Sequence, residues 1–128
     1  LVVLTQGSVD ITNPKTVRAS VGSIFHLPIV TGMPLVDAIA WAHRHAMRVL
    51  AADASGSALD EFGAGGGLDA PVAWLLGNEA WGLPSEEIAL ADQVVAVPMW
   101  GRAESLNLST AAAICLYAPA SAPHRTGR

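Results

Sequence analysis

The sequence predicts an α/β domain built on a parallel sheet with helices on both faces. Strand-like and helix-like segments alternate along the chain, and the strand-like segments are apolar throughout, as expected of strands buried on both faces. The 128 residues and 52% hydrophobic content fit one domain with one core, from residue 1 to about 118. No internal repeat or second domain is visible.

Leu1 to Thr5 reads as a buried strand that starts without a cap, as if the chain were cut from something longer. Asn13-Pro14 supplies a capping side chain and a proline suited to the first helical position, so a helix is expected from Pro14 to Val21. His26 to Val30 reads as a short strand despite Pro28. Pro34 opens a helix to about His45, with Leu35, Ile39, Ala42 and Ala46 on one face. Arg48 to Ala52 is the next strand, ending at Asp53. Ser55 to Ala70 has few large apolar residues and contains Gly63, Gly65, Gly66 and Gly67, and reads as a mobile loop. Its GAGGGL run is no dinucleotide fingerprint, because it neither follows a strand nor opens a helix. Val72 to Leu76 is a strand. Pro84 to Ala91 is a short helix whose Ser85, Glu86 and Glu87 suit the first-turn dipole. Gln93 to Val97 is the last strand and Asn107 to Tyr117 the last helix. Pro119 to Arg128, rich in Pro, Ala and Ser, reads as a frayed, flexible tail.

A formal charge of −4 excludes a domain that holds nucleic acid mainly by electrostatics. Cys115 is the only cysteine and lies in an apolar run, which makes it a core residue. No run approaches the ~18 apolar residues of a membrane span, and the first residues are not those of a signal peptide. A cytoplasmic setting, without membrane partners, is the expectation. His43 and His45 stand two apart on a helix and so face different directions, and no metal site is expected.

Chemistry concentrates in the last third. In LLGNEAWGL, Leu75 to Leu83, Gly77 ends a strand and brings backbone close to a ligand, Gly82 closes the turn, and Asn78 and Glu79 project where the sheet opens. Glu79 accepts hydrogen bonds from an amine or hydroxyl, or orders the neighbouring loop. In VPMWGRAESLNLS, from Val97, Pro98 stops the strand ladder and Gly101 releases a loop. That loop ends at a helix capped by Asn107 or Ser105, with Ser109 nearby. Each segment taken alone is a turn with a cap. Together, from strands expected to be adjacent, they face the edge where open α/β sheets bind ligands.

These two segments resemble the second and third motifs of the SpoU or TrmH branch of the SPOUT RNA methyltransferases. NPKTVRASVGSIFHLPI, Asn13 to Ile29, resembles the helix and strand that precede them. The resemblance implies a deep trefoil knot over Leu76 to Leu116 and a homodimer. It implies S-adenosyl-L-methionine as methyl donor and a ribose 2′-hydroxyl of rRNA or tRNA as acceptor. By the same resemblance the cofactor is held at Ala52, Asp53, Leu76, Gly77, Asn78, Gly82, Val97, Met99 and Leu106. Glu79, Ser105 and Asn107 shape the catalytic pocket.

The family's first motif, an asparagine followed by an arginine that helps activate the hydroxyl, belongs before Leu1 and is absent from these residues. Without that assistance the rate falls by about a hundredfold or more, so this chain alone is expected to lack full activity. Arg102 is the best phosphate contact, while Lys15 and Arg18 read as solvated. Trp74, Trp81 and Trp100 flank the motifs and fit core or dimer positions better than base stacking. Two rival readings are a non-catalytic RNA-binding or ribosome-assembly module that keeps the cofactor pocket, and a generic nucleotide-binding α/β enzyme.

Overall fold

The computed structural model describes residues 1–102 and 105–125. Ala103 and Glu104 of the third motif, and residues 126–128 of the expected tail, lie outside the described residues. The chain forms two compact units, Leu1–Trp41 and Ala42–Arg128.

In the first unit, β1 (Val2–Thr5) pairs in parallel with β2 (Ile29–Met33), from Val2 opposite Ile29 to Thr5 opposite Met33. The register slips between Leu4 and Thr5, beside Gly32 at a φ of 70°. The crossover carries α1 (Pro14–Ala19), whose expected cap is present: the Asn13 side chain accepts the Lys15 N–H at 2.9 Å. β2 begins three residues later than the sequence suggests. Ser23–Phe25 form a 3₁₀ turn, and the His26 N–H is spent on the Ser23 carbonyl at 2.9 Å, which holds His26 out of the ladder. Pro28 contributes only its carbonyl, to the Val2 N–H at 2.9 Å, so its missing donor costs nothing. α2 (Leu35–Arg44) follows, and its Ala38 and Trp41 line a cavity of about 80 Å³ with Leu1, Val3, Val30 and Met33.

The second unit holds a three-stranded parallel sheet in the order β4-β3-β5, comprising β3 (Arg48–Ala58), β4 (Val72–Leu75) and β5 (Gln93–Ala96). The strands are parallel as expected, but they are assigned to a two-stranded and a three-stranded sheet rather than to one. Successive residues Val49, Leu50 and Ala51 of the central strand are all buried, the mark of a strand covered on both faces. On one face Leu50 and Val95 pack with Leu59, Leu68 and Ala118, joined by Phe62, Val72, Trp74 and Val97.

Two expectations are corrected here. Ser55 to Ala70 is not an unstructured loop: β3 runs on to Ala58, α3 (Leu59–Ala64) follows, and Leu59 and Leu68 are core residues. Few apolar residues sufficed because each is placed to count. The glycines serve packing, since a Cβ on Gly67 would sit 2.6 Å from the Phe62 ring. The tail is also revised, because α5 (Leu108–Arg125) continues through Pro119. A proline removes one donor while keeping a helical φ, and Cys115 and Ala118, one turn apart and buried, hold this stretch on the core. The short α4 (Ser85–Ile88) lies between β4 and β5. Among the described residues no helix is long and apolar enough to cross a membrane.

Candidate functional site

The sheet order corrects one inference about the two motif turns. Their parent strands β4 and β5 are not adjacent, because β3 lies between them and pairs with both. Two interstrand spacings put the two strands roughly 10 Å apart. Both turns still leave the same carboxyl edge, since all three strands are parallel. The chain passes from β3 to β4 on one side, then returns across β3 to β5 on the other. Such a reversal opens a crevice at the strand ends, where α/β sheets take ligands. Leu76, Gly77 and Val97 lie just beyond the last ladder pairs, Leu75 with Ala51 and Ala96 with Ala58.

The first turn is closed by its own backbone: the Asn78 N–H donates to Gly82 O at 3.1 Å and the Gly82 N–H to Asn78 O at 2.8 Å. The Asn78 side chain accepts the Ala80 N–H at 2.7 Å. Gly82 has a φ of 66°, a conformation that favours glycine. Gly77 has a different reason from the one the sequence suggested. A Cβ there would overlap the Gly82 carbonyl and the Leu83 amide nitrogen, so the close approach is to its own turn. Glu79, at the exposed tip, has no carboxylate hydrogen bond among the described residues.

The second turn ends at the α5 cap, and Asn107 rather than Ser105 provides it. Asn107 Oδ1 accepts the Ser109 N–H at 2.9 Å, the Thr110 N–H at 3.4 Å and the Ser109 hydroxyl at 2.5 Å. The amide Nδ2 is left without a partner among the described residues. Ser105 is exposed, Leu106 half-buried and Met99 at the margin of exposure. No hydrogen bond joins Glu79 to Ser105 or Asn107 among the described residues.

Between the two turns, β3 makes an excursion that sequence reasoning missed. Ala52 and Ser57 both register with Val95, so residues 53–56 loop out of the ladder. Gly56 returns the strand so closely that a Cβ would overlap the Val94 and Val95 backbone. Asp53 Oδ1 accepts the Ser55 hydroxyl at 2.6 Å and the Ser55 N–H at 2.9 Å, and these bonds hold its carboxyl below the ordinary 3.8. Oδ2 is left without a partner among the described residues. The readable signal was Asp-x-Ser followed by glycine, a side-chain turn and a bulge.

The three tryptophans part company. Trp74 packs on the core, while Trp81 is 80% and Trp100 85% exposed. Arg102 is exposed beside Trp100. Cys115 is buried as expected, and burial raises its thiol pKa above the ordinary value. At the opposite, amino edge of the sheet His43 Nε2 meets Asp92 Oδ2 at 2.9 Å. Asp92 Oδ2 also accepts the Val49 N–H at 2.7 Å.

Residues 1–117 match the SpoU rRNA Methylase family. The chain belongs to this family. It is 36% identical over 101 residues to a tRNA (guanosine(18)-2′-O)-methyltransferase of Escherichia coli strain K12, covering 77% of this chain and 42% of that protein. It is 36% identical over 112 residues to a 23S rRNA (uridine(2479)-2′-O)-methyltransferase of Streptomyces viridochromogenes, covering 84% and 38%. The structure of the SpoU methyltransferase AviRb from Streptomyces viridochromogenes, in complex with AdoMet, superposes with a TM-score of 0.82 at 29% identity, covering 98% of this chain and 50% of that one. An AdoMet-bound rRNA methyltransferase from Sinorhizobium meliloti gives 0.75 at 32% identity, covering 91% and 44%. This SpoU-family chain thus spans about half the length of these relatives or less.

Proposed function

We propose that this chain is the cofactor-binding and catalytic part of an RNA methyltransferase that modifies a ribose 2′-hydroxyl of rRNA or tRNA with S-adenosyl-L-methionine. The observation that carries the reading is that the strands leading to the GNE turn and towards the SLN helix start run parallel and end at one carboxyl edge, in a member of the SpoU family. Relatives named as 2′-O-methyltransferases and neighbours with AdoMet support it.

The residues present fit that cofactor. Leu76, Gly77 and Val97 offer backbone groups past the ladder, and Asp53 Oδ2, with Oδ1 already engaged, is an acceptor for ribose hydroxyls. Leu106 and Met99 offer apolar surface to a base, and Asn78 and Gly82 fix the turn that carries Gly77. When bound, the cofactor would supply an electrophilic methyl group to the ribose 2′-oxygen, leaving S-adenosylhomocysteine, and the hydroxyl proton would pass to solvent. The protein's part is mainly positioning. The Asn107 amide and the Ser105 hydroxyl orient the acceptor ribose, and Glu79 accepts a hydrogen bond from it. Arg102 meets a phosphate of the RNA.

The same reading includes the knot and the homodimer. The knot is supported by α5 returning from β5 across the sheet to pack beside α3 and β4. The dimer is supported by Leu116 and Tyr117, apolar residues exposed on the side of α5 away from buried Cys115 and Ala118. The test is transfer of labelled methyl from S-adenosyl-L-methionine to tRNA and rRNA, with the product read as alkali-resistant linkages. Label in alkali-resistant dinucleotides is the expected result. Label in a base alone refutes ribose chemistry.

A further inference from the structure

We propose that Trp81 and Trp100 receive the RNA by stacking on unpaired bases beside the acceptor ribose. This rests on the functional reading above and adds how the substrate is held. The two rings are 80% and 85% exposed, unlike Trp74 in the core. They stand on the two loops that leave the strands flanking β3, at the edge the acceptor has to reach. The Asn78–Gly82 bridge anchors the loop under Trp81, and Gly101, at a φ of 108°, turns the chain after Trp100.

The charge around them selects the part of the RNA they can take. Arg102 is the only lysine or arginine between residues 49 and 124, whereas Asp53 and Glu79 stand at the same edge. A phosphate-reading surface needs several cations. Among the described residues of this unit, an edge with Arg102 as its cation beside the carboxylates of Asp53 and Glu79 disfavours the polyanionic backbone and leaves the apolar ring faces for nucleobases. Base pairs inside a duplex have no free face to offer, so the partner is single-stranded or looped RNA.

The test measures binding of an unstructured ten-nucleotide oligoribonucleotide, and of the corresponding duplex, to the protein and to its Trp81→Ala, Trp100→Ala and Trp100→Phe variants. S-adenosylhomocysteine binding and sedimentation are followed on the same samples. The expected result is preference for the single strand, a loss of about 5- to 150-fold in affinity for each alanine variant, and substantial rescue by phenylalanine. With one cation engaged, log affinity should fall against log salt with a slope near −0.7. Unchanged RNA affinity in both alanine variants overturns the stacking role alone, as does wild-type protein that binds S-adenosylhomocysteine but not the oligonucleotide. Alanine variants that sediment as a smaller species assign the rings to a contact between copies and also overturn it. Absence of S-adenosylhomocysteine binding by the wild type removes the functional reading beneath it.

Discussion

The proposed catalytic role of Asn107 is separable from its cap, and two substitutions tell them apart. Its Oδ1 caps α5 through the Ser109 and Thr110 N–H groups, while Nδ2 is the part of the side chain the cap does not use. Asn107→Ala removes both. Loss of the cap costs about 1 kcal/mol, which for a domain of this size lowers Tm by roughly 4 °C. Asn107→Asp keeps an oxygen for the same N–H groups, and its charge suits the helix N-terminus by about 0.3–1 kcal/mol, so stability is expected at or above the wild-type level. It loses the two Nδ2 donors. If those donors meet the reacting ribose, turnover falls by about 10²- to 10³-fold in both variants. The assay pairs thermal unfolding with single-turnover methyl transfer. Asn107→Asp that is stable and turns over within threefold of wild type would show a cap and nothing more, and would refute the assignment of Asn107 to the reaction.

Gly77→Ala forces a Cβ into the Gly82–Leu83 backbone, so the turn must open; S-adenosylhomocysteine affinity is expected to fall at least tenfold with a lower Tm, and unchanged calorimetry would show that the turn is not part of the pocket. At the amino edge, the Val49 N–H bond and then His43 hold the Asp92 carboxyl below its ordinary 3.8, against partial desolvation. A depressed native pKa stabilises the fold above 3.8, and the contribution is lost as pH falls through the native value. Asp92→Asn should therefore be less stable than wild type at pH 7, with the gap closing below about pH 4; a gap independent of pH in denaturant unfolding would exclude the charge as its source. Leu116→Glu with Tyr117→Glu, on the exposed side of α5, should convert the proposed dimer to a monomer in sedimentation, and an unchanged mass would place the contact elsewhere.

What the sequence made legible was local. The Asn13 cap and the apolar core of β3 each follow from a few neighbouring residues and stand where expected, and the α5 cap is Asn107, one of the two residues the sequence offered for it. Strand order is not local, and nothing in the Gly77 or Val97 turns announced that β3 would lie between their strands. The Ser55 to Ala70 segment was misread because its apolar signal is sparse. Leu59, Phe62 and Leu68 are spread among glycines, although the spacing of the first two is that of one helix face. The Asp53 excursion was hidden for a related reason, since Gly56 lets β3 rejoin the ladder after a break that reads as a strand end. At the candidate site, the residue types were visible from the motifs. Their local ties were not, and these leave Nδ2 of Asn107 and Oδ2 of Asp53 without a partner among the described residues.

The central claim is that the edge formed by Asp53, Gly77 and Val97 holds S-adenosyl-L-methionine. Calorimetric titration with S-adenosylhomocysteine, with NADH as the control, tests it most directly. Saturable binding of S-adenosylhomocysteine alone, weakened by Gly77→Ala, is the predicted result. Binding of NADH in preference, or of neither ligand by the folded protein, would contradict it.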